Sequence, residues 1–337
     1  MSLRRLILHA VRNEAVDFLA IVPSPPHLIF QLYTFSTGER ARVRGKYPLF
    51  SGSSYSHQDS PQLHRTAEHP IHISEISMPD SQLGKQLKEK MLRGETVFGT
   101  FFQHTVNPAI VDMIPENTLD FVIATAEHNA LDLAEFLPVR YALAAKGIAC
   151  LARTHSREPD DVSKVCDTFD GVVVPYVEDV EHARRLAAAA VYRPLKGEAL
   201  DRVLSEGKWP SEKTKTYIIE ERCANTVFVP MIESVAGLKN LDQICSIPGV
   251  NAVFVGPNDL TTTMGIPNEY DHPDLIAALG QIINTANRFH VAAGCWFGDR
   301  NQAERTIRQG ARFVVYSNDG AMLRDSIAES FGQLRKH

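Results

Sequence analysis

A chain of 337 residues, 44% hydrophobic and 22% charged, has the make-up of an ordinary globular protein with room for one large domain or two small ones. A formal charge of -5 without a concentrated basic face excludes nucleic acid as the main partner. Apolar stretches are broken by charge or proline well short of a membrane span, and five scattered cysteines with no CxxC read as reduced thiols rather than a disulfide framework.

The amino terminus reads differently from the rest. Residues 1–12 are Arg-rich and acid-free, as in a mitochondrial presequence, but Glu14 and Asp17 interrupt the pattern, so the cytosol is the expectation. Residues 51–75 are rich in Ser, His and Pro with no sustained period. His57, His64, His69 and His72 fit no single helix or hairpin as a metal tract, and residues 1–78 are expected to form a flexible extension, of which residues 1–77 are dispensable for folding.

From Asp80 the pattern is regular. Asp80 can cap a helix with apolar positions at Leu83, Leu87, Met91 and Leu92 and a stop at Gly94. Eight apolar runs follow, at 97–102, 121–125, 149–154, 171–177, 226–232, 252–256, 291–297 and 311–317. They are continuous rather than alternating, as in strands covered on both faces, and most precede a helical pattern. Eight such units over residues 79–337 predict an α/β fold, a (β/α)8 TIM barrel. A doubly wound open sheet is the alternative, though no strand is followed by GxGxxG. The stretch from Arg193 to Glu221 reads as an insertion after the fourth strand, on the catalytic rim.

Residues just past the strands would then share one mouth: Thr125–His128, Arg153, Pro175-Tyr176, Glu233, Asp259, Trp296 and Ser317–Asp319. Glu233 and Asp259 are one strand–helix unit apart. On neighbouring parallel strands, roughly 5 Å from each other, two carboxylates repel unless they share a divalent cation. Either acid also suits a helix cap. Such an ion takes the carboxylate and ketone of a 2-oxo acid and stabilises an enolate. Arg153 can pair with an anionic oxygen, and His128 can move protons near neutral pH.

Two segments carry a family resemblance: Glu233-Ser-Val-Ala-Gly-Leu-Lys-Asn-Leu-Asp-Gln-Ile244 and Pro248-Gly-Val-Asn-Ala-Val-Phe-Val-Gly-Pro-Asn-Asp-Leu260. They resemble the signature of the HpcH/HpaI aldolase family, class II metal-dependent pyruvate aldolases, and the likeness runs from about Ser81 to the C-terminus. It implies Glu233 and Asp259 as ligands of a divalent cation (Mg, Mn or Co), His128 as the base and Asp167 as the acid that supports it. Arg153, Gly256, Asn258 and Asp259 become substrate-binding positions. The implied reaction splits a 4-hydroxy-2-oxo acid into pyruvate and an aldehyde. Also implied are a last helix exchanged between neighbours and a homo-oligomer, a hexamer built from dimers. Thr125-Ala126 stands where the family has Asp-Gly, and Met231 where it has Gln. These departures keep open an oxaloacetate-decarboxylating variant and a barrel that binds a 2-oxo acid without turnover.

Overall fold

The computed structural model describes residues 18–24, 27–33 and 82–336. The chain divides into two units, residues 1–70 and 71–337. In the first, β1 (Phe18–Ser24) pairs antiparallel with β2 (His27–Tyr33), Phe18 opposite Tyr33 and Ser24 opposite His27. This hairpin is the part of the expected extension, residues 1–78, that lies among the described residues. The four histidines and Asp80 lie outside the described residues.

The second unit is the barrel. Its strands are β3 (Val97–Phe102), β4 (Phe121–Thr125), β5 (Ala149–Arg153), β6 (Gly171–Val174), β7 (Val227–Pro230), β8 (Ala252–Val255), β9 (Ala292–Phe297) and β10 (Phe313–Asn318). All eight predicted runs are strands, each within a few residues of its expected bounds. They pair in parallel in the order β7-β6-β5-β4-β3-β10-β9-β8. Parallel bridges Phe228–Val250 and Met231–Phe254 bring the two ends together.

Alternation along each strand divides the core in two. Phe101, Phe121, Ile123, Leu151, Val227, Val229, Met231, Phe254 and Phe313 fill the interior. Val122, Cys150, Val172, Phe228 and Val253 face the helices. Phe121 and Phe313 stack at 4.4 Å across the lumen, so the barrel is packed rather than open. All five cysteines are free and buried. Among the described residues no helix is long and apolar enough to cross a membrane.

The helix Leu83–Leu92 closes the N-terminal end. Leu87 and Met91 join the interior, and a Cβ at Gly84 would come within 1.9 Å of Asn225 O, at the foot of β7. Leu92, expected on the apolar stripe, is exposed; Gly84 takes its place because the helix backbone itself lies against the strands.

The segment from Arg193 to Glu221 is not on the catalytic rim. The helix Val180–Val191 runs back down the barrel after β6, so the chain that follows emerges at the N-terminal end. There it forms the helices Gly197–Glu206 and Glu212–Thr216 before β7. Finally, the helix Asp319–Leu334 buries none of its residues and exposes Leu323, Ile327, Phe331 and Leu334.

Candidate active site

Glu233 and Asp259 reach the same mouth because β7 and β8 are neighbours. Ile232 N–H donates to Phe254 O at 2.8 Å, so the chain is still paired with β8 just before the carboxylate emerges. Val227, Val229 and Met231 face inward, and the same alternation turns Glu233 inward. Ser234 then caps the next helix, its hydroxyl accepting from Gly237 N–H.

Glu233 is 4% exposed. Its Oε2 accepts from Tyr176 N–H at 2.9 Å. Its Oε1 occupies the space left by the missing side chain of Gly256, where a Cβ would lie 2.0 Å away. Burial above an apolar floor that includes Met231 raises the Glu233 carboxyl from 4.5 to about 7; the Tyr176 N–H and Arg153 oppose the rise, and Asp259 and Glu127 add to it. Asp259 lies in the first turn of the helix Pro257–Thr263. Beside it Asn258 is exposed, its Oδ1 accepting from the Tyr270 hydroxyl.

Arg153 ends β5 and is 9% exposed. Its Nε donates to Thr125 Oγ1 at 2.9 Å, and its guanidinium lies 4.8 Å over the Phe101 ring. Thr125 therefore gives the guanidinium an acceptor that carries no charge. The charge partner is Glu127, with Oε2 3.1 Å from Arg153 Nη1, close but off hydrogen-bond alignment. Burial lowers the Arg153 pKa, and Glu127, Glu233 and Asp259 hold it up. The guanidinium stays charged.

Glu127 also reaches His128, Oε1 to Nε2 being 3.8 Å. His128 is held with φ 67, in the left-handed region, and its side chain is 67% exposed. Sequence reasoning placed His128 and Arg153 here but gave Glu127 no role. The only signal was its place between a strand end and the candidate base.

Asp167 is not in this group. It follows the helix Pro159–Cys166, at the N-terminal end of the barrel, and pairs with Arg193 Nε at 3.1 Å and Arg222 Nη2 at 3.2 Å. Within one chain it does not meet His128. The helix carries it away from the mouth that its sequence partner occupies.

Among the described residues no group of three or more His, Cys, Asp and Glu converges as a metal cluster, so any cation would rest on two carboxylates. The donors still fit a hard divalent ion: three formal carboxylates (Glu127, Glu233, Asp259) face one guanidinium, leaving two negative charges.

Residues 100–326 match the HpcH/HpaI aldolase/citrate lyase family. The 5-keto-4-deoxy-D-glucarate aldolase of Shigella sonnei (strain Ss046) is 27% identical over 229 residues, covering 67% of this chain and 88% of that protein. The enzyme of the same name from Escherichia coli (strain SE11) matches to the same extent. The HpcH/HpaI aldolase from Desulfitobacterium hafniense DCB-2 has a TM-score of 0.64 at 25% identity, over 74% of this chain and 97% of its own. Macrophomate synthase shares the fold, with a TM-score of 0.59 at 20% identity, over 76% of this chain and 89% of its own. A family match across most of the barrel, with aldolases as relatives, makes this chain a member of the HpcH/HpaI aldolase/citrate lyase family and an enzyme of the aldolase (lyase) type.

Proposed function

We propose that this enzyme is a divalent-cation-dependent aldolase that splits a 4-hydroxy-2-oxo acid into pyruvate and an aldehyde. The observation that carries the reading is Glu233: a carboxylate buried beside Asp259, with one backbone donor and a glycine hollowed out around its other oxygen. Burying such a group without a cation is unfavourable. Glu233 and Asp259 would hold Mg, Mn or Co, which when bound supplies positive charge to the ketone and carboxylate of the substrate.

The chain's own groups do the rest. Asn258, in the first turn after Gly256, offers a backbone N–H with no partner inside its helix to the substrate carboxylate. Arg153, held by Thr125, Glu127 and Phe101, presents its remaining donors to the oxygen on which negative charge develops. His128, at the open mouth, takes the proton of the C4 hydroxyl. That O–H pair becomes the C4 carbonyl, the C3–C4 bond breaks, and its electrons pass through C2 to oxygen as the enolate of pyruvate. Return of a proton to C3 completes the product. Asp167 is left out of this path.

The same reading includes a homo-oligomer. Leu323, Ile327, Phe331 and Leu334 recur every three or four residues along the uncovered last helix, and Phe98 on β3 and Tyr316 on β10 are exposed on adjacent strands. Exchange of this helix between copies would cover both surfaces, as in a trimer of dimers.

The test is pyruvate release from a 4-hydroxy-2-oxo acid and from oxaloacetate, with EDTA and with added Mg, Mn or Co. The proposal expects loss with EDTA, recovery with metal, and the 4-hydroxy acid as the better substrate. Turnover of oxaloacetate alone would replace it with the decarboxylating variant. Full activity in EDTA would remove the cation.

A further inference from the structure

The loop after β6 contains a backbone irregularity aimed at Glu233. In regular parallel pairing, one residue donates its N–H to a neighbour-strand carbonyl, and its own carbonyl accepts from the N–H two residues further along that neighbour. Met231 N–H donates to Val174 O at 2.8 Å, so its carbonyl should accept from Tyr176. It accepts instead from Val177 N–H at 3.1 Å. One extra residue is therefore inserted at the barrel rim, a bulge, and the N–H released from the ladder is that of Tyr176.

That N–H donates to Glu233 Oε2 at 2.9 Å. The inserted residue has φ 52, the left-handed region that a tyrosine enters only when its surroundings hold it there. They hold it on both sides: Glu233 takes the N–H, and Arg157 Nη1 donates to Tyr176 O at 3.1 Å. Arg157 belongs to the loop that follows Arg153, and its own carbonyl contacts His182 Nε2 at 2.8 Å. The bulge thus links the loop behind the guanidinium to the carboxylate across the mouth.

We propose that Tyr176 is a positioning residue for Glu233, its bulged left-handed backbone fixing the carboxylate so that the oxygen beside Gly256 is turned toward Asp259. The role belongs to the main chain, and the phenol is not needed for it. This inference rests on the reading of Glu233 and Asp259 as cation ligands.

The experiment is Mn(II) binding to the full chain, followed by the EPR signal of free Mn(II), for the parent, Tyr176→Gly, Tyr176→Val and Arg157→Ala. Glycine keeps the left-handed backbone, and the expected loss of affinity is less than about 3-fold. Valine is β-branched and excluded from that conformation, and the expected loss is about 10- to 100-fold, as for other groups that orient a ligand. Arg157→Ala frees the carbonyl and is expected to weaken binding by about 3- to 10-fold. Parent-like affinity in Tyr176→Val, or equal losses in the glycine and valine variants, would overturn the positioning role. If Tyr176→Val does not fold, unchanged affinity in Arg157→Ala overturns it. A parent that binds no Mn(II) would instead overturn the cation reading itself.

Discussion

Gly256→Ala is the sharpest perturbation of this site, because a single methyl group enters space already taken by the Glu233 carboxylate. The backbone at Gly256, φ -89 and ψ 101, is open to alanine, so the effect is steric rather than conformational. The new Cβ would lie 2.0 Å from Oε1 and 2.9 Å from Cδ, and the carboxylate must retreat by about 1 Å or more to restore ordinary contact. Overpacking of this kind destabilises by about 1–3 kcal/mol, and the lower chain entropy of alanine in the unfolded state returns about 0.4–1 kcal/mol. The net loss, at most about 2.6 kcal/mol, leaves a typical domain folded. Activity should suffer far more, since a displacement of about 1 Å in a reacting constellation lowers the rate by about 100-fold. Steady-state kcat/KM for pyruvate release, beside urea unfolding of the same samples, measures both. Activity within about 3-fold of the parent would refute the placement of Glu233 at the reaction centre.

Three further outcomes are expected. In metal-free protein the Glu233 carboxyl, raised from 4.5 to about 7 by burial, favours the fold while protonated. Its contribution is full below pH 4.5 and is lost as pH rises through about 7, a change of about 3 kcal/mol. Urea unfolding of the parent and Glu233→Gln at pH 5 and pH 8 should therefore show the variant gaining on the parent at the higher pH, and a pH-independent difference would contradict this. Arg153→Lys keeps a positive charge but loses the Nε–Thr125 hydrogen bond and the planar fork; kcat should fall by about 10²- to 10³-fold with circular dichroism unchanged, and a parent-like kcat would contradict the role. Phe331→Asp places a charge on the exposed apolar stripe of the last helix, so light scattering should find a smaller assembly than the parent; a parent that is itself monomeric would end the oligomer reading.

The barrel was legible in the sequence because strands covered on both faces must be apolar along their whole length, and runs such as Phe121–Thr125 and Ala252–Val255 are fully buried. The pairing of Glu233 with Asp259 followed from the same count, since consecutive units of a barrel are neighbours. What failed was direction. The segment from Arg193 was assigned to the strand before it, but the helix Val180–Val191 intervenes and returns the chain to the opposite end. Asp167, lying after a helix rather than after a strand, stands apart from His128 within one chain for the same reason. Glu127 and Tyr176 were placed at the mouth by the sequence, but their roles were hidden because an ion pair and a bulge at a loop leave no period in it. Their roles depend on a left-handed φ at Tyr176 and on which carboxylate oxygen meets Arg153. Leu92 misled because helical spacing cannot show when a glycine, here Gly84, forms the packed face.

The cation site between Glu233 and Asp259 can be seen by anomalous diffraction at the manganese edge, from crystals equilibrated with Mn(II). A cation held by Glu233 and Asp259 would give one strong peak between the two carboxylates, about 2.2 Å from an oxygen of each. A catalytically active crystal with no peak there, or with its manganese held by other residues, would contradict it.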